Sequence, residues 1–183
     1  TLCGCSTEPK PEGKPVETNP DGSGVTKNSP ASEMTVEHVQ KIVQLHNRGV
    51  GHLENHEWDD AEAALSELQL LLPENVDAAN NLAVSRTLSL IDRSSPYSQS
   101  KDPKAYTTAV QKANEAIKLL DALAKTDEQK AVGALIAGKQ AAYEDSSTNP
   151  RISVALEHLR RAITLSGDRP QMWYALALAM EGH

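Results

Sequence analysis

The feature that most constrains this chain is a helix junction that occurs twice at the same spacing. Ala79 follows Ala61 by 18 residues, and Trp173 follows Ala155 by the same 18 residues. Each alanine lies in a segment with apolar side chains every three or four residues, which is the spacing of an amphipathic helix. The residue 18 positions later opens another such segment. A junction that recurs in this way predicts stacked helical hairpins.

The first hairpin is predicted on either side of a short polar interruption at residues 55–57. The segment "TVEHVQKIVQLHNRGVGHLE" has its aliphatic residues at helical spacing, and "WDDAEAALSELQLLLPEN" resumes the pattern until Pro73 ends it. We therefore expect two antiparallel helices over residues 35–54 and 58–72. Trp58, which opens the second helix, is expected to be substantially buried between them.

This hairpin resembles a tetratricopeptide repeat, a unit of about 34 residues with the pattern W-x2-L-G-x2-Y, then A-x3-F, then P. Gly49, Ala61, Leu65 and Pro73 occupy its matching positions, and Trp58 stands at the usual aromatic position. Three residues depart from the pattern: Leu45, Arg48 and His52. Further matches follow both junctions, at Leu82, Ala83, Leu159, Ala162, Leu176, Ala177 and Met180. The resemblance implies an all-α, right-handed α-solenoid of antiparallel hairpins with about seven helices.

The middle of the chain is less regular. After a helix that ends near Arg93, "SSPYSQSKDP" predicts a loop, and Asp102 with Pro103 predicts the cap and first turn of the next helix. A capping box predicts a helix from Thr126 toward Tyr143, and Asn149 with Pro150 begins another. The third unit departs from the repeat phase. Since the chain ends at His183 inside a fourth unit, we expect it to be the front part of a longer protein.

Residues 1–33 differ in composition from residues 34–183, which we assign to the helical domain. They carry half of the chain's ten prolines and hardly an apolar side chain after Cys5, so we expect a flexible tether without regular structure. The opening "LCGC" resembles a bacterial lipobox, which implies that Cys5 becomes the acylated N-terminus. The protein would then be lipid-anchored in the cell envelope, with the outer membrane as one possible site. The alternative is an accidental C-x-C in a disordered tail.

Charge and composition exclude several classes of function. The net charge of −7 opposes binding to phosphate backbones, and aromatic residues amount to only 3% of the chain, so nucleic acid is not expected as a partner. Apolar runs fall far short of the roughly 20 residues that span a bilayer, so membrane contact is expected through the lipid anchor only. Nucleotide fingerprints and nucleophile triads are absent from the sequence, and we expect no cofactor.

The stretch "GHLENHEWDDA" raises the question of a metal site, because it places His52 and His56 four residues apart. Zinc metalloproteases use H-E-x-x-H, whereas the order here is H-x-E-x-H. In the repeat register His52 ends the first helix, and His56 occupies a turn position where Gly is typical and where His can adopt the left-handed conformation. A metal-dependent hydrolase built around these two histidines would need further ligands, so we expect neither a metal nor a catalytic site.

By resemblance, the concave face of such a solenoid binds a protein or peptide. The positions implied for that groove are His46, Val50, Leu53, Asn80, Asn81, Val84, Thr87, Tyr174 and Leu178. Only Asn81 matches the clamp that some members of the family use for a C-terminal carboxylate, so that mode is not expected. The sequence therefore favours a non-catalytic scaffold. The alternative is the N-terminal module of a larger lipoprotein whose downstream domain, propeller-like or enzymatic, carries the activity.

Overall fold

The computed structural model describes residues 34–144, 150–167, 169–170, 173–175 and 177, with the backbone alone for 96–97, 100 and 150–151. The predicted tether at 1–33 lies outside the described residues. Within them every regular element is an α-helix, which confirms the all-α prediction and its count of about seven helices. The helices are α1 (Val36–Glu54), α2 (Trp58–Leu71), α3 (Val76–Arg93), α4 (Pro96–Lys101), α5 (Pro103–Leu123), α6 (Asp127–Glu144) and α7 (Pro150–Ser166).

Two of the helix starts follow from predicted caps, and α7 begins at the predicted Pro150, although the predicted cap Asn149 lies outside the described residues. Asp102 caps α5 by accepting a hydrogen bond from the backbone N–H of Ala105 at 2.9 Å. At α6, Thr126 Oγ1 accepts from the backbone N–H of Gln129, and Gln129 Oε1 accepts from the backbone N–H of Thr126. This reciprocal pair is the predicted capping box. Both caps are local features, which explains why they could be predicted.

The predicted loop over residues 94–103 was wrong in part, because it contains the six-residue helix α4. Ser95 caps this helix by accepting a hydrogen bond from the backbone N–H of Ser98 at 3.1 Å, and Pro96 occupies the first helical position. Proline is favoured there because its missing N–H would have no partner within the helix. A serine followed by a proline therefore starts α4 by the same chemistry that starts α5.

The helices pack in pairs. Helix α1 runs antiparallel to α2: Lys41 Nζ lies 2.6 Å from Glu67 Oε1 near one end of the pair, and His52 lies beside Glu57 at the other. Likewise α3 packs against α5, and α6 packs against α7 in the most extensive pairing of the chain. Helix α3 also contacts α2 and α6, so it occupies the centre of the helical assembly.

In two of the pairs a glycine of one helix faces a buried leucine of the other. A Cβ added to Gly49 of α1 would lie 2.6 Å from two atoms of Leu65 on α2. A Cβ added to Gly138 of α6 would lie 2.7 Å from Leu159 on α7. Both leucines are fully buried, so each close approach depends on the missing side chain. Gly49 is one of the repeat positions identified in the sequence, whereas Gly138 is not among them.

Candidate binding face on helices α1, α3 and α6

Helix α1 carries an exposed apolar stripe. Val36, Val39 and Val43 are spaced by three and four residues, and all three are exposed. Ile42 and Leu45, on the neighbouring face of the same helix, instead pack into the main core. The apolar residues of α1 thus lie on two faces of the helix, one toward the core and one toward solvent. We call the outward face the valine stripe, which consists of Val36, Val39 and Val43.

A first pocket of about 370 Å³ lies between α1 and the start of α3. Leu68 and Leu72, from the end of α2, contribute to its apolar lining, and Val43 of the valine stripe lies on its α1 side. The stripe and the pocket are therefore continuous. The remaining lining residues are Ile42, His46, Asn47, Asn75, Asp77 and Ala78.

A second pocket of about 450 Å³ lies between α3 and α6. Leu120 of α5 lines it in the way that leucines of α2 line the first pocket, and Val76 and Val132 add apolar surface from α3 and α6. Asp77, Asn80, Thr126, Glu128 and Gln129 complete the lining. Asp77 is shared by both pockets, so the two lie on either side of the first turns of α3.

The predicted groove residues divide into several groups. His46 lines the first pocket and Asn80 the second, so these two lie on the face described above. Thr87 is only 3% exposed and its Oγ1 is buried without a hydrogen-bond partner, so it lies in the interior and does not line an open groove. Tyr174 is exposed, and Leu178 lies outside the described residues. The remaining four predicted groove residues are partly buried: Val50, Leu53, Asn81 and Val84.

The polar groups of the two pockets differ in whether they already have an ion-pair or hydrogen-bond partner. Glu128 is bound to Arg169, whose Nη2 lies 2.6 Å from its Oε1. Asp77 is exposed and forms no ion pair with any residue that the structure describes. The Oδ1 atom of Asn80 is buried and accepts no hydrogen bond from the described part of the chain. The Asp77 carboxylate is therefore open to a ligand beside the second pocket, and the Asn80 amide oxygen is an unpaired acceptor just beneath its surface.

The charge at the outer end of the valine stripe is also fixed by local structure. Glu37 lies in the first turn of α1, next to the capping residue Thr35. A backbone hydrogen bond at Glu37 itself, followed by one from the Thr35 side chain, lowers the pKa of this carboxyl. Glu37 is therefore ionised at neutral pH and places a negative charge next to Val36.

The two histidines of the α1–α2 turn do not meet at one site. His52 Nδ1 lies 2.5 Å from Glu57 Oε2, and Arg48 Nε donates to His52 Nε2 at 3.4 Å. His56 instead packs edge-on against Trp58, with ring centroids 5.0 Å apart. Its φ of 61° confirms the predicted left-handed turn position. Trp58 is partly buried, and its carbonyl accepts a hydrogen bond from Ser85.

His52 does come together with two carboxylates, those of Glu57 and Asp60, with one ligand atom of each within 4.8 Å of the others. One nitrogen and two oxygens could hold a divalent cation. The arrangement also has a structural explanation, because carboxylates are stabilised at a helix N-terminus and these two begin α2. The guanidinium of Arg48 on the other ring nitrogen disfavours a second positive charge at this place.

No protein-family model, curated protein or solved structure matches this chain. The likeness to tetratricopeptide repeats therefore depends on the residues and contacts described above. Among the helices that the structure describes, none combines the length and the apolar character that crossing a membrane requires.

Proposed function

We propose that this chain is a non-catalytic scaffold that binds a partner protein or peptide along α1, α3 and α6. The observation that carries the proposal is the continuous surface formed by the valine stripe and the two pockets. Apolar side chains that stay exposed side by side mark interaction sites more often than scattered ones do. Pockets of about 300 to 1,000 Å³ with a few polar groups are typical of binding sites.

The arrangement of the helices supports a tetratricopeptide-like solenoid as the framework of this surface. Three successive pairs, α1–α2, α3–α5 and α6–α7, are connected through contacts of α3 with α2 and of α6 with both α3 and α5. Ala61 and Ala155, the two junction alanines, are both fully buried. In a right-handed solenoid the first helices of successive units line one face, and here those helices are α1, α3 and α6.

Site-specific photocrosslinking in the cell that makes the protein tests the scaffold function. A benzophenone amino acid replaces Val43, which is 52% exposed on the proposed face, or Leu70, which is 80% exposed on α2 and lines neither pocket. We expect one discrete crosslinked species from position 43, lost when Val39→Asp is added, and no such species from position 70. Equal crosslinking from both positions would contradict a binding face at the valine stripe.

The proposed scaffold is tethered to the cell envelope through a lipid on Cys5. The support for this part is the lipobox-like "LCGC" and the proline- and glycine-rich segment that follows it. A single acyl chain holds a protein only marginally, since each buried methylene contributes about 0.8 kcal/mol, whereas two or more chains anchor it stably. Fractionation and intact-mass measurement of the precursor and its Cys5→Ala variant test the anchor. A soluble wild-type protein without acyl mass would contradict it.

A further inference from the structure

We propose that the partner is an extended peptide segment in which a lysine or arginine lies between two aliphatic side chains. One aliphatic side chain enters each pocket, and the basic side chain binds Asp77 between them. This inference rests on the proposed scaffold function and adds to it the chemistry of the bound segment.

The two pockets accept equivalent groups. Each lies between two neighbouring helices of the proposed face and has leucine in its lining, from α2 in the first pocket and from α5 in the second. Aliphatic side chains complement such linings because they remove apolar surface from water on both sides. The same kind of anchor therefore fits both pockets.

The distance between neighbouring helices sets the spacing of the two anchors. Packed helices lie about 8 to 10 Å apart, and a chain in the polyproline II conformation advances about 3.1 Å per residue. Three residues of such a segment cover about 9 Å, and its three-residue period brings positions i and i+3 to the same side. Anchors three residues apart therefore match two pockets on either side of α3.

The charge of the bound segment follows from Asp77. This carboxylate lines both pockets, is exposed, and has no ion-pair partner among the described residues, whereas Glu128 in the second pocket is already bound to Arg169. A lysine or arginine between the anchors is attracted to Asp77, and an acidic residue in that position is repelled. The net charge of −7 also favours a cationic partner.

Asn80 indicates that the segment is extended and not helical. Its Oδ1 atom is buried beside the second pocket and accepts no hydrogen bond within the described structure. When the Asn80 side chain rotates toward the pocket, an extended peptide can donate a backbone N–H to this acceptor, whereas the N–H groups of an α-helix are used internally beyond its first turn. Binding of an extended segment would therefore satisfy an acceptor that is otherwise unpaired at a cost.

Binding of three labelled peptides, measured by fluorescence anisotropy, tests the inference. They share the sequence Gly-Ser-Leu-X-Pro-Leu-Ser-Gly and carry Lys, Gln or Glu at X. For the wild-type protein we expect Lys to bind more tightly than Gln, and Gln more tightly than Glu, by about threefold to fivefold per step, as for an exposed ion pair. We expect Asp77→Asn to abolish the ranking and Asp77→Lys to reverse it.

Asp92→Asn is the matched control, because Asp92 is an exposed carboxylate on the same helix that lines neither pocket. It should leave the ranking unchanged, and thermal unfolding of each variant checks that the fold is intact. Equal affinities for the three peptides, a ranking that persists in Asp77→Asn, or no binding of any peptide would overturn the inference. The scaffold function would still stand in each of these cases if the crosslink from position 43 is observed, and it fails separately if that crosslink is absent.

Discussion

The outer helix pairs and the central pair achieve close packing with different side chains. In α1–α2 and α6–α7 a glycine faces a buried leucine, at Gly49 with Leu65 and at Gly138 with Leu159. The central pair, α3–α5, contains no glycine, and its small buried residues are alanines, among them Ala83 of α3 and Ala113 of α5. Each outer pair therefore packs one large side chain against a position that has none, whereas the central pair buries small side chains from both helices.

The central pair is also joined to α2 by charged groups. Glu62 of α2 accepts a hydrogen bond from Arg86 of α3 at 3.1 Å and another from Lys112 of α5 at the same distance. The side chains of Glu62 and Arg86 are only 12% and 17% exposed. A largely buried directional network thus links three helices, whereas the ion pair of Lys41 with Glu67 across α1–α2 is about half exposed. Such a network specifies register, because an unpaired partly buried charge is costly.

The largest expected effect comes from the leucines of the outer pairs. Leu65→Ala and Leu159→Ala should each lower the free energy of unfolding by about 2 to 5 kcal/mol, because each leaves a cavity opposite a glycine. Urea unfolding followed by circular dichroism measures both. Leu70→Ala is the control and should change stability by less than about 0.5 kcal/mol, since this side chain is exposed. Losses that differ by several kcal/mol would show that the two outer pairs are not equivalent.

Substitution of the two glycines by alanine should have the second largest effect on stability. Its sign should be opposite to the one that helix propensity predicts. Gly49→Ala and Gly138→Ala should each lower the free energy of unfolding by about 1 to 3 kcal/mol through overpacking against leucine. Gly138→Ala should cost more, because its Cβ would also lie 3.3 Å from the backbone oxygen of Ala155, which cannot rotate away.

Gly51→Ala is the matched control for these glycines. It lies on the same helix as Gly49, and an added Cβ would meet nothing within 4 Å. It should raise the free energy of unfolding by about 0.5 to 1 kcal/mol, because alanine is the better helix former. If Gly49→Ala also raised the free energy of unfolding, the contact with Leu65 would not restrict the side chain at position 49.

The ion-pair network gives a third prediction. Glu62→Gln keeps the shape of the side chain but removes the charge that binds two cations, and it should lower the free energy of unfolding by about 1 to 2 kcal/mol. Glu128→Gln breaks the exposed pair with Arg169 and should cost less than about 1 kcal/mol. Chemical unfolding at low and high salt measures both. If the two variants lose equal stability, the network at Glu62 stabilises the central pair no more than an exposed ion pair would.

The features that could be predicted from the sequence are those that depend on residues close together in the chain. The caps of α5 and α6 and the left-handed turn at His56 involve neighbours within four residues. The same reasoning could have found α4, since Ser95 with Pro96 is the same kind of start signal as Asp102 with Pro103.

The close approach at Gly138 was missed because its spacing differs from that of the first pair. Twelve residues separate Gly49 from Ala61, whereas seventeen separate Gly138 from Ala155, so a pattern of fixed period does not align them. The binding face was difficult for another reason. Val39 and Ile42 share the same helical spacing, and only the packed neighbours decide that Ile42 faces the core while Val39 faces solvent.

The smallest expected effect concerns two residues with positive φ, one within the first helix pair and one just after the third. Gly167 has φ of 68° and free space around it, so Gly167→Ala should lower the free energy of unfolding by about 1 kcal/mol through backbone strain alone. His56 has φ of 61° but is not a glycine. His56→Gly relieves the strain at the turn and removes the edge contact with Trp58, two effects of about 1 kcal/mol each with opposite signs.

The expected net change for His56→Gly is therefore below about 0.5 kcal/mol. His56→Ala separates the two effects, because it keeps the strain and loses the ring contact, and it should lower the free energy of unfolding by about 0.5 to 1.5 kcal/mol. Thermal unfolding of the three variants, followed together with Trp58 fluorescence, measures stability and the ring contact at once. If His56→Ala proves as stable as the wild type, the contact with Trp58 does not stabilise the turn. Histidine would then be kept at this position for its tolerance of the left-handed conformation alone.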